Sequence, residues 1–295
     1  MAQKITTDLV DQFKPVAAEL VTTYARTLAH LRYADLRIEV VEGKAAAAEN
    51  GASKFSGEDY AFAFGIRVLA GDQTVAPGYF GRPLGTADLA GLEKLLKEGM
   101  LSAYRRAMAN SELKAAVREK FGSLGDSLVD ARLHPIEVRR DTVPAEYETD
   151  PRAMDLREMV RYTMEVSRQV QAVHAQLKYN YISTLTQLSR ELFASSDGAL
   201  IDQAFALTQG MCYVVGVSAD TSQELYDVLG HQRGWEILLR GVDEPLIKFP
   251  TFVDFSLAMA REAVALAAAP VLPSTDREVV VVTDPHYNTL LSHEI

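Results

Sequence analysis

Tyr33-Ala34-Asp35-Leu36-Arg37-Ile38-Glu39-Val40 is the stretch on which the fold turns. Leu36, Ile38 and Val40 alternate with Asp35, Arg37 and Glu39, the period of two that belongs to a strand with one buried face. The residues before it keep another period. Val10, Phe13, Ala17, Leu20, Tyr24, Leu28 and Leu31 follow one another at steps of three and four, which makes residues 7–31 one face of an amphipathic helix. A helix that gives way to a strand, rather than a strict strand–helix alternation, sets the expectation of an α+β fold.

Working outward, Gly43 reads as a turn, and residues 45–49 as a second strand leading to Asn50-Gly51. A third strand is expected over 62–70, closed by Gly71-Asp72, and a fourth around 75–80. Thr86 reads as the N-cap of a helix carrying Leu89, Leu92, Leu96, Met100 and Tyr104, with a further helix over 111–121. The pattern then weakens through a loop-rich stretch holding Pro135 and Pro144.

Asp150-Pro151 is a helix start, Asp to cap free N–H groups and Pro at the first helical position. Leu156, Met159, Thr163, Val166, Val170, Val173 and Leu177 continue it at three- and four-residue steps. Strands resume over 179–188 and 191–195, turn at Asp197-Gly198, and continue over 211–217. An Ala-rich helix follows over 252–269. The halves therefore look alike, as an internal duplication would. The expected organisation is an N-terminal α/β unit (1–110), a connector (111–149), a central α/β unit (150–274) and the start of a C-terminal domain (275–295), in all two helix-flanked antiparallel sheet units.

The chain has 295 residues, 48% of them hydrophobic and 24% charged, the balance of an ordinary globular protein. No apolar run approaches the roughly 18 residues of a membrane span, and no leader pattern opens the sequence. A single cysteine, Cys212, excludes an internal disulfide framework and fits a reducing compartment, so the expected location is cytoplasmic. Cys212 lies among Met211, Tyr213, Val214 and Val215, the setting of a buried thiol acting as a small hydrophobe. The formal net charge of -10 argues against nucleic acid, which needs clustered cations to displace counterions. Arg105-Arg106 and Arg139-Arg140 are small clusters and read as solvated positions.

The last segment carries the candidate chemistry. Residues 278–282 (Glu-Val-Val-Val-Val) read as a strand, Asp284-Pro285 as a helix start, and Leu290 and Leu291 as its buried face. His293-Glu294 follows directly. A His-Glu pair on a helix entered from an apolar strand can supply a metal ligand and a neighbouring base. On its own the pair is more often a solvated helix end. His30, His134, His174, His231 and His286 add no spacing suited to a metal.

Several segments, in order, resemble the TldD/PmbA family, once called modulators of DNA gyrase and now regarded as metallopeptidases. Residues 33–39 (YADLRIE) resemble its "ADVRVE" strand, and residues 64–71 (FGIRVLAG) its "GIGVRVL-G" strand. Ser195-Ser196-Asp197-Gly198 resembles the "SSEG" turn. Residues 280–285 (VVVTDP) with Leu290-Leu291-Ser292-His293-Glu294 resemble the entry to its metal helix. The likeness spans roughly residues 33–295.

The family's metal helix reads His-Glu-x-x-x-His, and a cysteine far downstream completes the zinc site. The resemblance therefore implies His293 as first zinc ligand and Glu294 as general base. The second histidine would fall three residues beyond Ile295; Cys212 lies upstream and does not correspond. The leading expectation is an N-terminal part of a zinc peptidase that hydrolyses small or unfolded peptides, inactive in this chain because the metal site is incomplete and holds no zinc. The alternative is a non-catalytic partner or scaffold subunit. Either reading implies a homo- or hetero-dimer with a second subunit of this type, a peptide substrate, and neither nucleic acid nor membrane as partner.

Overall fold

A computed structural model describes residues 4–72, 74–125, 137–219, 221–270, 278 and 280–295, with His286 described in its backbone alone. His134, Asp276, Arg277 and Val279 lie outside the described residues.

The expected first helix is present as α1 (Val10–Thr27), which buries Val10, Phe13, Ala17, Leu20 and Val21. Next comes β1 (Leu31–Glu49), a strand of 19 residues. Gly43 makes no turn. It sits within β1 opposite Asp59 on one side and Gln187 on the other, so the expected short strands on either side of it are one. The chain reverses at Asn50-Gly51, both at positive φ, as a two-residue hairpin requires. Strands β2 (Ala52–Ala70) and β3 (Ala76–Pro83) follow, both antiparallel to their predecessors.

A single helix, α2 (Leu92–Phe121), stands where two were expected. Thr86 does not cap it. A 3₁₀ segment, Thr86–Gly91, precedes the helix, and the Asp88 carboxylate accepts from the Gly85 N–H at 2.9 Å. Asn110 and Ser111, which looked like a break, are anchors instead. Asn110 donates to the Pro77 carbonyl at 2.8 Å, and the Ser111 hydroxyl donates to the Thr74 carbonyl.

The short strand β4 (Arg140–Val143) leads to Asp150-Pro151, which cap only the 3₁₀ turn Pro151–Ala153. Helix α3 (Leu156–Ala172) starts later, capped by Asp155, and Leu177 belongs to the next strand. Strands β5 (Leu177–Ser195), β6 (Leu200–Val217) and β7 (Ser222–His231) follow. The one-turn α4 (Glu236–Arg240), the β8–β9 ribbon (Val242–Asp243, Lys248–Phe249) and α5 (Phe252–Ala268) complete the body. Thr251 caps α5 through the Asp254 N–H.

The fold is α+β, with one seven-stranded sheet ordered β3-β2-β1-β5-β6-β4 and β7 also paired to β6. Among the described residues only β4 runs parallel to its neighbour. The expected repeat is visible in the geometry. Helices α1 and α3 start at residues 10 and 156, β1 and β5 at 31 and 177, and β3 and β7 at 76 and 222, each pair 146 apart. The register shifts between Leu31 and Tyr33 and between Leu177 and Tyr179 fall at equivalent places. Glu42 pairs with Leu188, its own equivalent, so a local two-fold passes between them.

Because side chains alternate along a strand, the even-numbered residues of β1 and β5 share one face. Leu36, Ile38 and Val40 meet α1 and α2 there, in a core that also takes Leu192 and Ala194 from β5. Ile182, Cys212 and Val214 meet α3 and α5 in a second core that takes Ala46 from β1. All four long helices of the body thus cover one face, and the odd-numbered residues form an open face, as antiparallel sheets allow.

Candidate functional site

The predicted site residues lie on α6 (Pro285–Glu294). Its start is as expected: Pro285 occupies the first turn and the Asp284 carboxylate accepts from the Tyr287 N–H at 2.8 Å. Its packing is not. Leu290 is 52% and Leu291 40% exposed, so neither buries a face. Val280, Val281 and Val282 form no strand and are exposed, and among the described residues no strand pairs with their backbone. His293 and Glu294 are both exposed at the end of the helix.

Zinc in a catalytic site needs three protein ligands. Among the described residues no group of three His, Cys, Asp or Glu side chains is placed to hold a metal ion. His293 and Glu294 alone do not fit zinc. Cys212 is buried as expected, and burial pushes its thiol up to about 12, out of reach of metal or nucleophilic chemistry near neutral pH.

The charged residues of the opening stretch are brought together elsewhere. Asp35, Arg37 and Glu39 project from β1 onto the open face, where cross-strand pairing sets Arg67 opposite Asp35 and Gly65 opposite Arg37. On β3, Tyr79 faces Arg67 and Gly81 faces Gly65. Asp35, Arg37, Glu39, Gly65, Arg67 and Tyr79 line a cleft of about 470 Å³, within the size range of small-ligand sites. Gly65 lines it without a side chain, and Gly81 lies beside Gly65 on the next strand. A Cβ on Gly65 would stand 2.8 Å from the Tyr79 hydroxyl and one on Gly81 2.5 Å from it, so the ring lies across both only because neither carries a side chain.

Asp35 is 6% exposed and is held by Arg67, whose Nε and a terminal nitrogen both donate to Oδ2, at 2.8 and 2.6 Å. This charge-assisted pair orients the guanidinium and holds the Arg67 pKa above its ordinary value. Burial, then the Asp35 charge, raises the Tyr33 phenol beside them to about 12, so it stays protonated. Arg37 is freer. It lies over the Phe193 ring at 5.5 Å and reaches Glu191 only at 3.5 Å, with its side chain 57% exposed. Its remaining donors can take a carboxylate or a peptide carbonyl. Among the described residues no serine, cysteine or histidine side chain lines the cleft. Sequence reasoning gave these residues no role. The available signal was three charges at one strand parity, which puts them on a single face.

An ion cluster around the buried Asp202 links the two halves. Arg190 on β5 donates to Asp202 on β6 at 2.7 and 2.8 Å and to Asp11 on α1 at 2.6 Å, and Lys14 of α1 also pairs with Asp202.

No protein-family model and no curated protein matches the sequence. Solved structures do match its fold. TldE from Thermococcus kodakarensis superposes with a TM-score of 0.52 at 10% identity, over 85% of this chain and 47% of that one. A protein described as a candidate modulator of a DNA gyrase from Thermotoga maritima gives 0.52 at 10% identity, over 89% and 50%. Another so described, from Bacteroides thetaiotaomicron, gives 0.53 at 10%, over 90% and 50%. The chain therefore has the TldD/PmbA-type fold and spans about half the length of the structures it matches.

Proposed function

We propose that this chain is the peptide-handling portion of a TldD/PmbA-type zinc peptidase, with His293 and Glu294 as part of a metal site that these 295 residues do not complete. The observation that carries the reading is the fold shared with TldE and the gyrase-modulator structures over 85 to 90% of the chain. The His-Glu pair adds to it, since it falls on a helix capped by Asp284 and Pro285 as the family likeness requires. Arg37 and Arg67 would meet the carbonyls or the carboxylate of an extended peptide laid over Gly65.

On this reading the chain alone hydrolyses nothing. An unstructured peptide incubated with it should survive equally with added zinc and with chelator. Chelator-sensitive turnover that His293→Ala abolishes would show a complete site and overturn the proposal.

A second reading, a non-catalytic subunit that pairs with a catalytic one, is favoured by the exposure of His293 and Glu294 away from any cluster of metal-binding side chains among the described residues. Zinc titration of a completed chain separates the two. The peptidase reading expects no zinc bound by the chain alone, and zinc binding that His293→Ala removes once the residues completing the site are joined to it. The scaffold reading expects stable assembly with a TldD-type subunit, and no zinc binding that depends on His293 in either form.

A further inference from the structure

The cleft on the open face is polar along its length, and strand pairing shows how. Three rows of residues cross it from β5 through β1 to β2 and β3. The first sets Asp35 beside Arg67 and Tyr79. The second sets Phe193, Arg37, Gly65 and Gly81 side by side. The third sets Glu191 directly opposite Glu39, with Ala63 next to it. Successive rows stand about 7 Å apart, two residues along a strand. Two guanidiniums therefore flank Gly65 at one end, and two carboxylates face each other at the other.

The charges are loosely partnered. Arg67 spends two donors on Asp35 and is half exposed, so the rest of its guanidinium faces the cleft and solvent. Like charges directly opposite on paired strands are destabilising, yet Glu39 and Glu191 stand so. Among the described residues Arg37 is the one cation that reaches this pair, at 3.5 Å from Glu191, and the Ser189 hydroxyl donates to Glu39 at 3.2 Å. The backbone is not available to a ligand. Residues 63–68 of β2 pair with β1 on one side and with β3 on the other, so whatever enters is held by side chains.

We propose that the cleft binds the C-terminal lysine of a polypeptide, its carboxylate between Arg67 and Arg37 and its side-chain ammonium at Glu39 and Glu191. The two guanidiniums offer the carboxylate charge-assisted hydrogen bonds. The Tyr79 hydroxyl, laid in against Gly65, is a third donor. From the Arg37 row to the glutamates is about 7 Å, the reach of the four-carbon lysine stem, and Ala63 is small enough to leave the way clear. Binding exchanges partners one for one. The ligand carboxylate replaces Glu191 on Arg37, and the ligand ammonium replaces Arg37 on Glu191. An acylated α-nitrogen matters, because a free α-ammonium would sit beside the same two guanidiniums. A chain end is thus preferred to free lysine. The inference rests on the peptide-handling reading for the arrival of a chain end, and names which end and which last residue.

The probe is Nα-acetyl-lysine, titrated into the full chain by calorimetry. Its amide lacks the carboxylate and Nα-acetyl-norleucine lacks the ammonium, and each should bind at least tenfold more weakly. Free lysine should also bind more weakly than the acetylated form. Arg37→Gln should remove the preference for acid over amide. Glu39→Gln should cut the preference for lysine over norleucine at least fivefold and leave the affinity for acetyl-norleucine unchanged, a pattern that loss of folding does not produce. Both side chains are exposed, so the fold does not depend on them. Equal binding of acetyl-lysine, its amide and acetyl-norleucine overturns the inference, as does no binding of acetyl-lysine at millimolar concentration. A longer unstructured peptide capped at both ends separates that failure from a wider one. If it binds where acetyl-lysine does not, peptide handling stands without a pocket for the chain end. If neither binds, both readings fall.

Discussion

Replacing Arg190 by Met tests the ion cluster that joins α1 to the second repeat. Asp202 is 3% exposed and receives two hydrogen bonds from Arg190, with Lys14 as its other cationic partner. Removing one partner of a buried pair typically costs about 3–5 kcal/mol, because the remaining charge keeps its desolvation penalty. Here Lys14 stays, and the Arg190 side chain is 16% exposed, so the lower part of that scale applies. Asp11, at 60% exposed, adds little as a surface partner. The expected loss is about 2–3 kcal/mol, or roughly 3–5 °C in Tm for a chain of this size.

The pH dependence identifies the cause. Burial by itself raises the Asp202 pKa, but hydrogen bonds from Arg190 and Lys14 outweigh it and leave the carboxyl below its ordinary 3.8. A depressed carboxyl pKa gives stability that is fully present above the unfolded value and is lost as pH falls through the folded one. In Arg190→Met burial prevails, the carboxyl protonates at higher pH, and the variant escapes its penalty on acidification. The gap between wild type and variant, from urea melts at a series of pH values, should therefore narrow between pH 7 and about pH 3.5. A gap below about 0.5 kcal/mol at pH 7, or one that does not change with pH, would refute the electrostatic account.

Four other outcomes follow from the packing. Phe252→Ala should cost about 3–5 kcal/mol in chemical denaturation, since the ring is fully buried and fills the space left by Gly210. Phe55→Ala, on the exposed edge, should stay within about 0.5 kcal/mol of wild type. Gly216→Ala would drive a methyl into the Ala263 carbonyl of α5 and should cost about 1–3 kcal/mol, and an unchanged melting curve would show that α5 does not sit that close. Cys212, with its thiol near 12, should be alkylated by iodoacetamide at least a hundredfold faster in urea than in the folded chain, whereas rapid labelling of the folded protein would place the thiol outside the core.

How much of this was legible in the sequence depends on whether the signal was local. Helix α1 and the strand character of residues 33–40 follow from periodicity alone. Strand lengths did not. Gly43, Gly81 and Gly210 carry no strand signal, yet all lie within strands, because cross-strand neighbours on both sides or a ring laid over the glycine supply what a side chain would. Asn110-Ser111 read as a break because polar residues favour helix ends, whereas tertiary partners at Pro77 and Thr74 hold them mid-helix. At the other end, a strand pattern at residues 280–282 was insufficient without a neighbour. His293 and Glu294 were legible only through family likeness. The Asp35–Arg67 cleft needed β1 and β2 to be paired in register before its charges could meet.

The repeat explains why the two halves depend on each other. Each begins with a helix that packs across the central β1–β5 seam: α1 lies against β5 as well as β1, and α3 against β1 as well as β5. Neither half therefore owns its core, since Leu192 and Ala194 complete the first and Ala46 the second. A two-fold relation makes such exchange reciprocal, and the ion cluster of Asp11, Lys14, Arg190 and Asp202 sits where α1 crosses the seam. Where the halves differ, the difference is peripheral: β4 pairs with β6 at Leu200 to Gln203, and among the described residues β2 has no counterpart of that strand. Symmetry at the seam binds the halves into one sheet, and the repeats part at its rim.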